Sequence, residues 1–450
     1  MTTERSAVVV FMRMKQIRIH FKEEIMSVYQ KDGKVYLIIG NGPAGHFAAG
    51  EIRKKDPDGR IIITGREKER TYLRTQLAEC FSAELPEDKF YMVKEEWYEK
   101  NEVEQILSME ASSIDKEDKV VTFKDGSQIH YDKLIIATGS YNFIPPVDVE
   151  IRRNGKTVDV MKVDRTNFRN YDGLFSIREH HDTIALQKRI RASKQAVVIG
   201  GGLLGLEAAW SLKKCGLDVT VIEFFNRLLP RQLDEESSEV LKNMALASGV
   251  KLILEDSLES ITIEEDEDGN QNLASVRLQG GDTLDCQIVL FSVGVRSRAA
   301  LAAEAGIEVN KGIVVNTRME TSAEDIYACG DVAEINNFVY GTWPSALSMG
   351  RVAGINAAGG DLKFPPMVLS TMFTSMNAKV FSAGNVDFCD PGLDILEHKS
   401  VKKGEYKKLF FRDDKLVAGI LLGDTKRSTR IVKGIEDGYT EEEALKADIL

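Results

Sequence analysis

Short apolar runs that end on glycine recur along the chain. Residues 35–39, VYLII, lead without a polar break into GNGPAG, Gly40–Gly45. A continuous apolar run of this length bounded by a turn signal predicts a buried strand. The stretch HFAAGEIRKK that follows is Ala-rich and helix-capable, and GRIIITGRE then reads as a second buried strand. Strand, glycine turn, helix, strand is a βαβ unit. The same order returns over 196–223, AVVIGGGLLGLEAAWSLKKCGLDVTVIE, where Gly216 ends the helix and DVTVIE is the second strand. Gly40 and Gly200 stand 160 residues apart, far beyond a solenoid period. The pattern therefore predicts two separate nucleotide units, not an array.

Further strands are expected at HYDKLIIATGS (130–140), closing on Thr138 and Gly139, and at QIVLFSVGVR (287–296), ending at Gly294. TSAEDIYACGDVAE (321–334) adds a short strand that ends in Gly330 and Asp331. From about residue 365 the pattern becomes strands joined by turns, then a helix-like stretch. The fold class expected is α/β: two Rossmann-like dinucleotide-binding domains plus a smaller C-terminal α+β domain. The parts are an extension over 1–34 without clear period, a first dinucleotide domain over 35–147 and 292–364, and a second over 173–291. Residues 365–450 form the last domain. The polar stretch 148–172 reads as a charged surface connector with a hairpin around Asn154-Gly155.

Composition narrows the function classes. The chain has 450 residues, a hydrophobic fraction of 43% and a charged fraction of 29%, as in ordinary globular proteins. A net charge of -11 argues against general nucleic-acid binding, which needs a basic footprint. No apolar run is long enough for a membrane span or a signal segment. Cys80, Cys215, Cys286, Cys329 and Cys389 are scattered and form no C-x-x-C pair, so no metal site is expected and a reducing, cytoplasmic setting is.

Each G-x-G-x-x-G turn has a physical purpose. The first glycine makes the tight turn, the second lets backbone approach a diphosphate, and the third lets the helix pack close to the strand. These are Gly40, Gly42 and Gly45, with Pro43 and Ala44 opening the helix, and Gly200, Gly202 and Gly205, with Leu204 in the turn. Each second strand ends near a carboxylate suited to ribose hydroxyls: Glu67, with Arg66 beside it as the alternative, and Glu223. A 2′-phosphate at Glu223 would meet repulsion with only Arg227 nearby, so the second unit should favour NADH over NADPH.

GNGPAG, YDKLIIATG, GGGLLGLE, FSVGVR and TSAEDIYACGDVAE, in this order, resemble the FAD/NAD-dependent pyridine nucleotide oxidoreductases of the glutathione-reductase-like fold. The resemblance spans residues 35–450. Within that group, YGTWPSALSMGRVAGINAAGG (340–360) is similar to NADH:rubredoxin oxidoreductases and to the flavin portion of NADH-dependent nitrite reductases. The resemblance implies FAD on the first unit, with Arg74 beside the flavin, Ala111 at the adenine and Thr138 and Gly139 closing the pocket. It places Gly330 and Asp331 at the ribityl chain and Trp343 near the flavin pyrimidine edge. NADH would lie on the second unit, with Glu223 on its ribose and Gly294 near the nicotinamide. The last domain would cover the flavin.

The implied activity is hydride transfer from NADH to FAD, with electrons leaving to a small carrier such as rubredoxin. NADH oxidase, with oxygen as acceptor, and the flavin subunit of a larger reductase complex are the alternatives. A homodimer is compatible with the chain. In ferredoxin-reductase-type relatives a glutamate at Glu207 pairs with a lysine; here Glu79 stands in the lysine's place, so two carboxylates should couple and one pKa should rise. Relatives with one redox cysteine carry it directly after the position of Arg74, where this chain has Thr75; Cys80 reads as packing. Two basic clusters, Lys402, Lys403, Lys407 and Lys408, and Lys426, Arg427, Arg430 and Lys433, read first as solvated faces and second as docking surfaces for an acidic carrier.

Overall fold

The computed structural model describes residues 33–388, 390–400 and 405–449. Most of the expected N-terminal extension, Cys389, Lys402 and Lys403 lie outside the described residues.

The apolar run Val35–Ile39 is the central strand of a parallel sheet, ordered Ile326–Ala328, Lys133–Ile136, Val35–Ile39, Arg60–Thr64, Val103–Ile106. Both of its faces are covered, which is why it carries no polar alternation. The helix Pro43–Lys55 returns over one face, and the helix Trp343–Ala357 crosses it. That crossing depends on small residues: a Cβ at Gly350 would stand 2.2 Å from Ala44 O, and one at Gly354 2.4 Å from Ala48 O. The close crossing sets Trp343 and the first glycine turn on one cavity.

The second unit repeats the grammar as Leu174–Phe175, Ile288–Phe291, Gln195–Ile199, Asp218–Glu223, Lys251–Leu254, again parallel. The chain leaves the first sheet after residue 136, builds the second unit, and returns to complete the first sheet with Ile326–Ala328. An antiparallel ribbon of Ser140–Asn142 with Val295–Ser297 joins the outgoing and returning crossings.

The segment expected as a surface connector is built into a sheet. Val147–Arg153 and Lys156–Val163 form the hairpin, with positive φ at Asn154 (52°) and Gly155 (73°). Both central residues in that region match the two-residue turns that follow the twist of a hairpin. The strand Val147–Arg153 then pairs in parallel with Leu258–Glu265, next to Gln271–Leu278 and Thr283–Asp285. Val147, Val149 and Ile151 point inward onto Ile261 and Ile263, so this stretch has its own core behind a polar outer face.

The C-terminal sheet is antiparallel, ordered Ser370–Phe373, Val380–Gly384, Lys415–Leu422, Glu405–Arg412, Asp394–Ser400, with the helix Ser428–Asp437 packed on it. Here the expectation of a solvated basic face is corrected for Lys407 and Lys408, while Lys426, Arg430 and Lys433 are exposed as expected. Lys407 and Lys408 are 4% and 6% exposed. A buried ammonium needs partners, and Lys408 finds Asp234 and Glu236 of the second unit. Arg427 and Arg430 are both bound to Asp448. Neither cluster therefore offers a full set of free cations to a carrier.

Candidate active site

One cavity of about 1680 Å³ lies between the two nucleotide units and the C-terminal sheet, and both glycine turns open into it. Gly40 has φ +126°, and a Cβ there would sit 2.0 Å from Ala137 O. A Cβ at Gly45 would be 2.1 Å from Gly40 O, and one at Gly205 2.0 Å from Gly200 O. Gly42 and Gly202 differ: a Cβ at either would meet nothing within 4 Å. They face open space at the N-termini of the helices Pro43–Lys55 and Leu203–Lys214, neither of which has a side-chain cap. The first-turn N–H groups are thus left for an anionic group, and the cradles fit a dinucleotide diphosphate.

Around the first cradle, Arg66, Glu67, Arg74, Ala111, Thr138, Gly139, Gly330, Asp331 and Trp343 all line the cavity. The Glu67 carboxylate accepts from Tyr72 Oη (2.6 Å) and Arg74 Nη2 (2.5 Å), so it holds Arg74 in the cavity wall. Burial would raise its pKa, but Arg74, Tyr72 and Arg66 hold it below the ordinary value. Arg74 also donates to Tyr72 Oη (2.6 Å) and to Arg178 O (2.9 Å). Arg66 is ion-paired with Glu179. Asp331 Oδ2 accepts from Arg178 Nη2 (2.7 Å) and Ser140 Oγ (2.8 Å). Trp343 begins its helix immediately after the cap Thr342.

Around the second cradle, Glu223 Oε2 accepts from Gly201 N (2.6 Å) and Oε1 from Phe225 N (2.9 Å). Each oxygen keeps a lone pair for a further donor. Leu204, Phe224 and Phe225 present exposed apolar surface to the cavity at 51%, 69% and 53%. Gly294, with φ +102°, lines it as well.

Glu207 is half-buried on the cavity wall and has no hydrogen bond or ion pair among the described residues. Burial, and then the charge of Glu79, push its carboxyl up to about 7. Glu79 itself is exposed on the short helix Leu77–Cys80 and does not line the cavity, where Thr75, Leu77 and Ala78 do. The expected coupling of the two carboxylates holds through space, but only Glu207 stands in the cavity, and the expectation of Glu79 as a site residue is corrected. Cys80 packs against Tyr72, Leu77 and Phe90, and burial, then Glu79, push its thiol up to about 11.

The sequence reading missed Tyr141, Arg165, Arg178 and Arg298, all on the cavity wall. It also missed Met372 and Phe381, through which the C-terminal sheet closes it. None of these lies in a glycine motif. The one available signal was the density of arginine in VDRTNFRNYDGLFSIRE and GVRSR.

Residues 34–350 match the family model of pyridine nucleotide-disulphide oxidoreductases, and residues 370–439 match that of the rubredoxin NAD+ reductase C-terminal domain. The chain is 30% identical over 404 residues to the NADH-rubredoxin oxidoreductase of Clostridium acetobutylicum, covering 89% of this chain and 94% of that protein. It is 31% identical over 425 residues to a nitrite reductase of Bacillus subtilis, covering 93% of this chain but 49% of the relative, about half its length. The solved NADH:rubredoxin oxidoreductase of Clostridium acetobutylicum superposes with a TM-score of 0.72 at 27% identity, over 93% of this chain and 99% of that one. No described helix is long and apolar enough to cross a membrane. With both nucleotide units and the return strand inside the matched span, the chain belongs to the pyridine nucleotide-disulphide oxidoreductase family.

Proposed function

We propose that this chain is an NADH-dependent flavoprotein oxidoreductase that binds FAD on the Gly40–Gly45 unit and NADH on the Gly200–Gly205 unit, and delivers electrons to a small protein carrier such as rubredoxin. The observation that carries this reading is that both glycine cradles open into one cavity, so two dinucleotides bound there converge. FAD, when bound, supplies an acceptor that takes two electrons together and can release them singly.

The residues of the chain bind, orient and exclude water. Uncapped first-turn N–H groups at Gly42 and Gly202 receive the diphosphates. Glu67 and Tyr72 lock the Arg74 guanidinium in the wall, and Asp331, held by Ser140 and Arg178, presents an acceptor on the same cavity. Glu223 keeps lone pairs for the ribose of NADH, where a 2′-phosphate would be repelled. Met372 and Phe381 line the cavity with apolar surface and would help to exclude water from it once the cofactors are bound. The Glu207 carboxyl, pushed up to about 7, can exchange a proton with the cavity without taking part in hydride transfer.

Anaerobic addition of NADH to the FAD-reconstituted protein tests the reading. Bleaching of the flavin absorbance is expected, followed by reoxidation that is faster with rubredoxin than with ferredoxin, oxygen or a disulfide. Bound flavin that does not bleach with NADH overturns the reading. Bleaching with fast reoxidation by oxygen alone selects the oxidase instead.

A further inference from the structure

We propose that Arg165 and Arg298 form a cationic clamp for the FAD diphosphate, set on the wall of the cavity into which the Gly40–Gly45 turn opens, with Arg165 delivered by the turn that follows the 147–163 hairpin. This rests on the reading that the first unit holds FAD.

Arg298 is tied to the segment that closes the first unit. Its N–H donates to Gly139 O (2.9 Å), its Nε donates to Ser140 O (3.1 Å), and its carbonyl accepts from Thr138 Oγ1 (2.9 Å). Its guanidinium carbon lies 5.6 Å from the centre of the Tyr141 ring. The guanidinium of Arg165 lies over the same ring at 4.3 Å. Two like charges thus share one aromatic ring, which offsets part of their repulsion. Arg165 sits in a tight turn in which Asp164 Oδ1 accepts from Thr166 N (2.7 Å) and Thr166 Oγ1 (2.6 Å), and Asn167 Nδ2 donates to Lys162 O (3.0 Å). The turn fixes the backbone from which the Arg165 side chain is presented.

Arginines crowd this corner. Arg66, Arg74, Arg165, Arg178 and Arg298 all line it. Their carboxylate partners are Glu67 for Arg74, Asp331 for Arg178, and Glu179, which Arg66 and Arg298 share. Arg165 makes no ion pair among the described residues, and the adjacent Asp164 carboxylate is bound to Thr166. Burial, and then the neighbouring Arg66, Arg178, Arg165 and Arg74, push the Arg298 guanidinium down to about 9. Like charges gathered at such a cost call for an anion. The hairpin that leads to Arg165 is thereby a binding device, not only a sheet edge.

The test is the affinity of the full-length apoprotein for FAD, followed by flavin fluorescence at several salt concentrations. Arg165→Gln is expected to weaken FAD by about tenfold, the scale of one charge-assisted hydrogen bond, and to flatten the salt dependence relative to wild type. Arg165→Lys, which keeps the charge, is expected to recover most of the loss. Arg165 is exposed, so its replacement does not threaten the fold. An Arg165→Gln affinity within about twofold of wild type, or equal losses for Arg165→Gln and Arg165→Lys, would overturn the clamp. Wild-type apoprotein that takes up no FAD would instead overturn the assignment of the first unit.

Discussion

The Lys408 ammonium lies 2.5 Å from Asp234 Oδ2, joining the C-terminal sheet to the residue that caps the helix Glu235–Ala247 of the second unit. Glu236 Oε2 lies 3.2 Å from the same nitrogen and also accepts from Tyr406 Oη (2.8 Å). Three polar groups of the C-terminal sheet, Lys399, Tyr406 and Lys408, thus converge on the start of one helix.

Removing the buried cation leaves Asp234 without its charge partner. Lys408→Ala is expected to cost about 3 kcal/mol in urea unfolding, in the range for breaking a buried pair. The double variant Lys408→Ala with Asp234→Asn should lose less than the sum of the two single losses. Additive losses would mean that the pair does not couple the two parts.

The Glu207 carboxyl, held up to about 7 by burial and Glu79, makes stability fall with pH. Its folded pKa is above its unfolded value of about 4.3. The folded state therefore binds the proton more tightly, and the advantage present below about 4.3 is lost as pH rises to about 7. Glu207→Gln should show a smaller loss over that interval in melting temperature. Glu79→Lys should move the upper midpoint to lower pH. Flavin reduction by NADH is expected to survive Glu207→Gln; its abolition with FAD still bound would make Glu207 essential.

Cofactor preference should turn on Glu223. Glu223→Gln keeps one acceptor but removes the charge. It is expected to lower kcat/KM for NADH by about tenfold, the scale of one hydrogen bond to a charged group, and to narrow the gap between NADH and NADPH. An unchanged ratio of the two would show that the carboxylate does not discriminate.

The helix crossing at the first cradle is intolerant of volume. Gly350→Ala places a methyl 2.2 Å from Ala44 O, where only a backbone shift can relieve it. A loss of about 1–3 kcal/mol is expected. FAD affinity should fall as well, because Ala44 belongs to the turn that receives the diphosphate. Wild-type affinity at reduced stability would separate packing from binding.

Much of the architecture was legible in the chain. VYLII and AVVIG, each followed by a glycine turn, mark both parallel sheets, because a strand covered on two faces must be apolar throughout. The turn glycines were legible for the same local reason: backbone at Gly40 and Gly200 leaves no room for a Cβ. The hairpin at Asn154-Gly155 was legible too, but its place beside Leu258–Glu265 was not, since that partner lies about a hundred residues away.

The sequence by itself determined the local matters: which runs are strands, where glycine is obligatory, and that two cradles exist. Only the tertiary structure decided what each charge does. Glu67 turns to Arg74 and Tyr72, Lys408 is buried on Asp234, and Arg165 arrives beside Arg298 from the turn after an inserted hairpin. The physical reason is range. Strand and turn preferences are set by a residue and its near neighbours, whereas the state of a charge depends on burial and on partners that are distant in the chain.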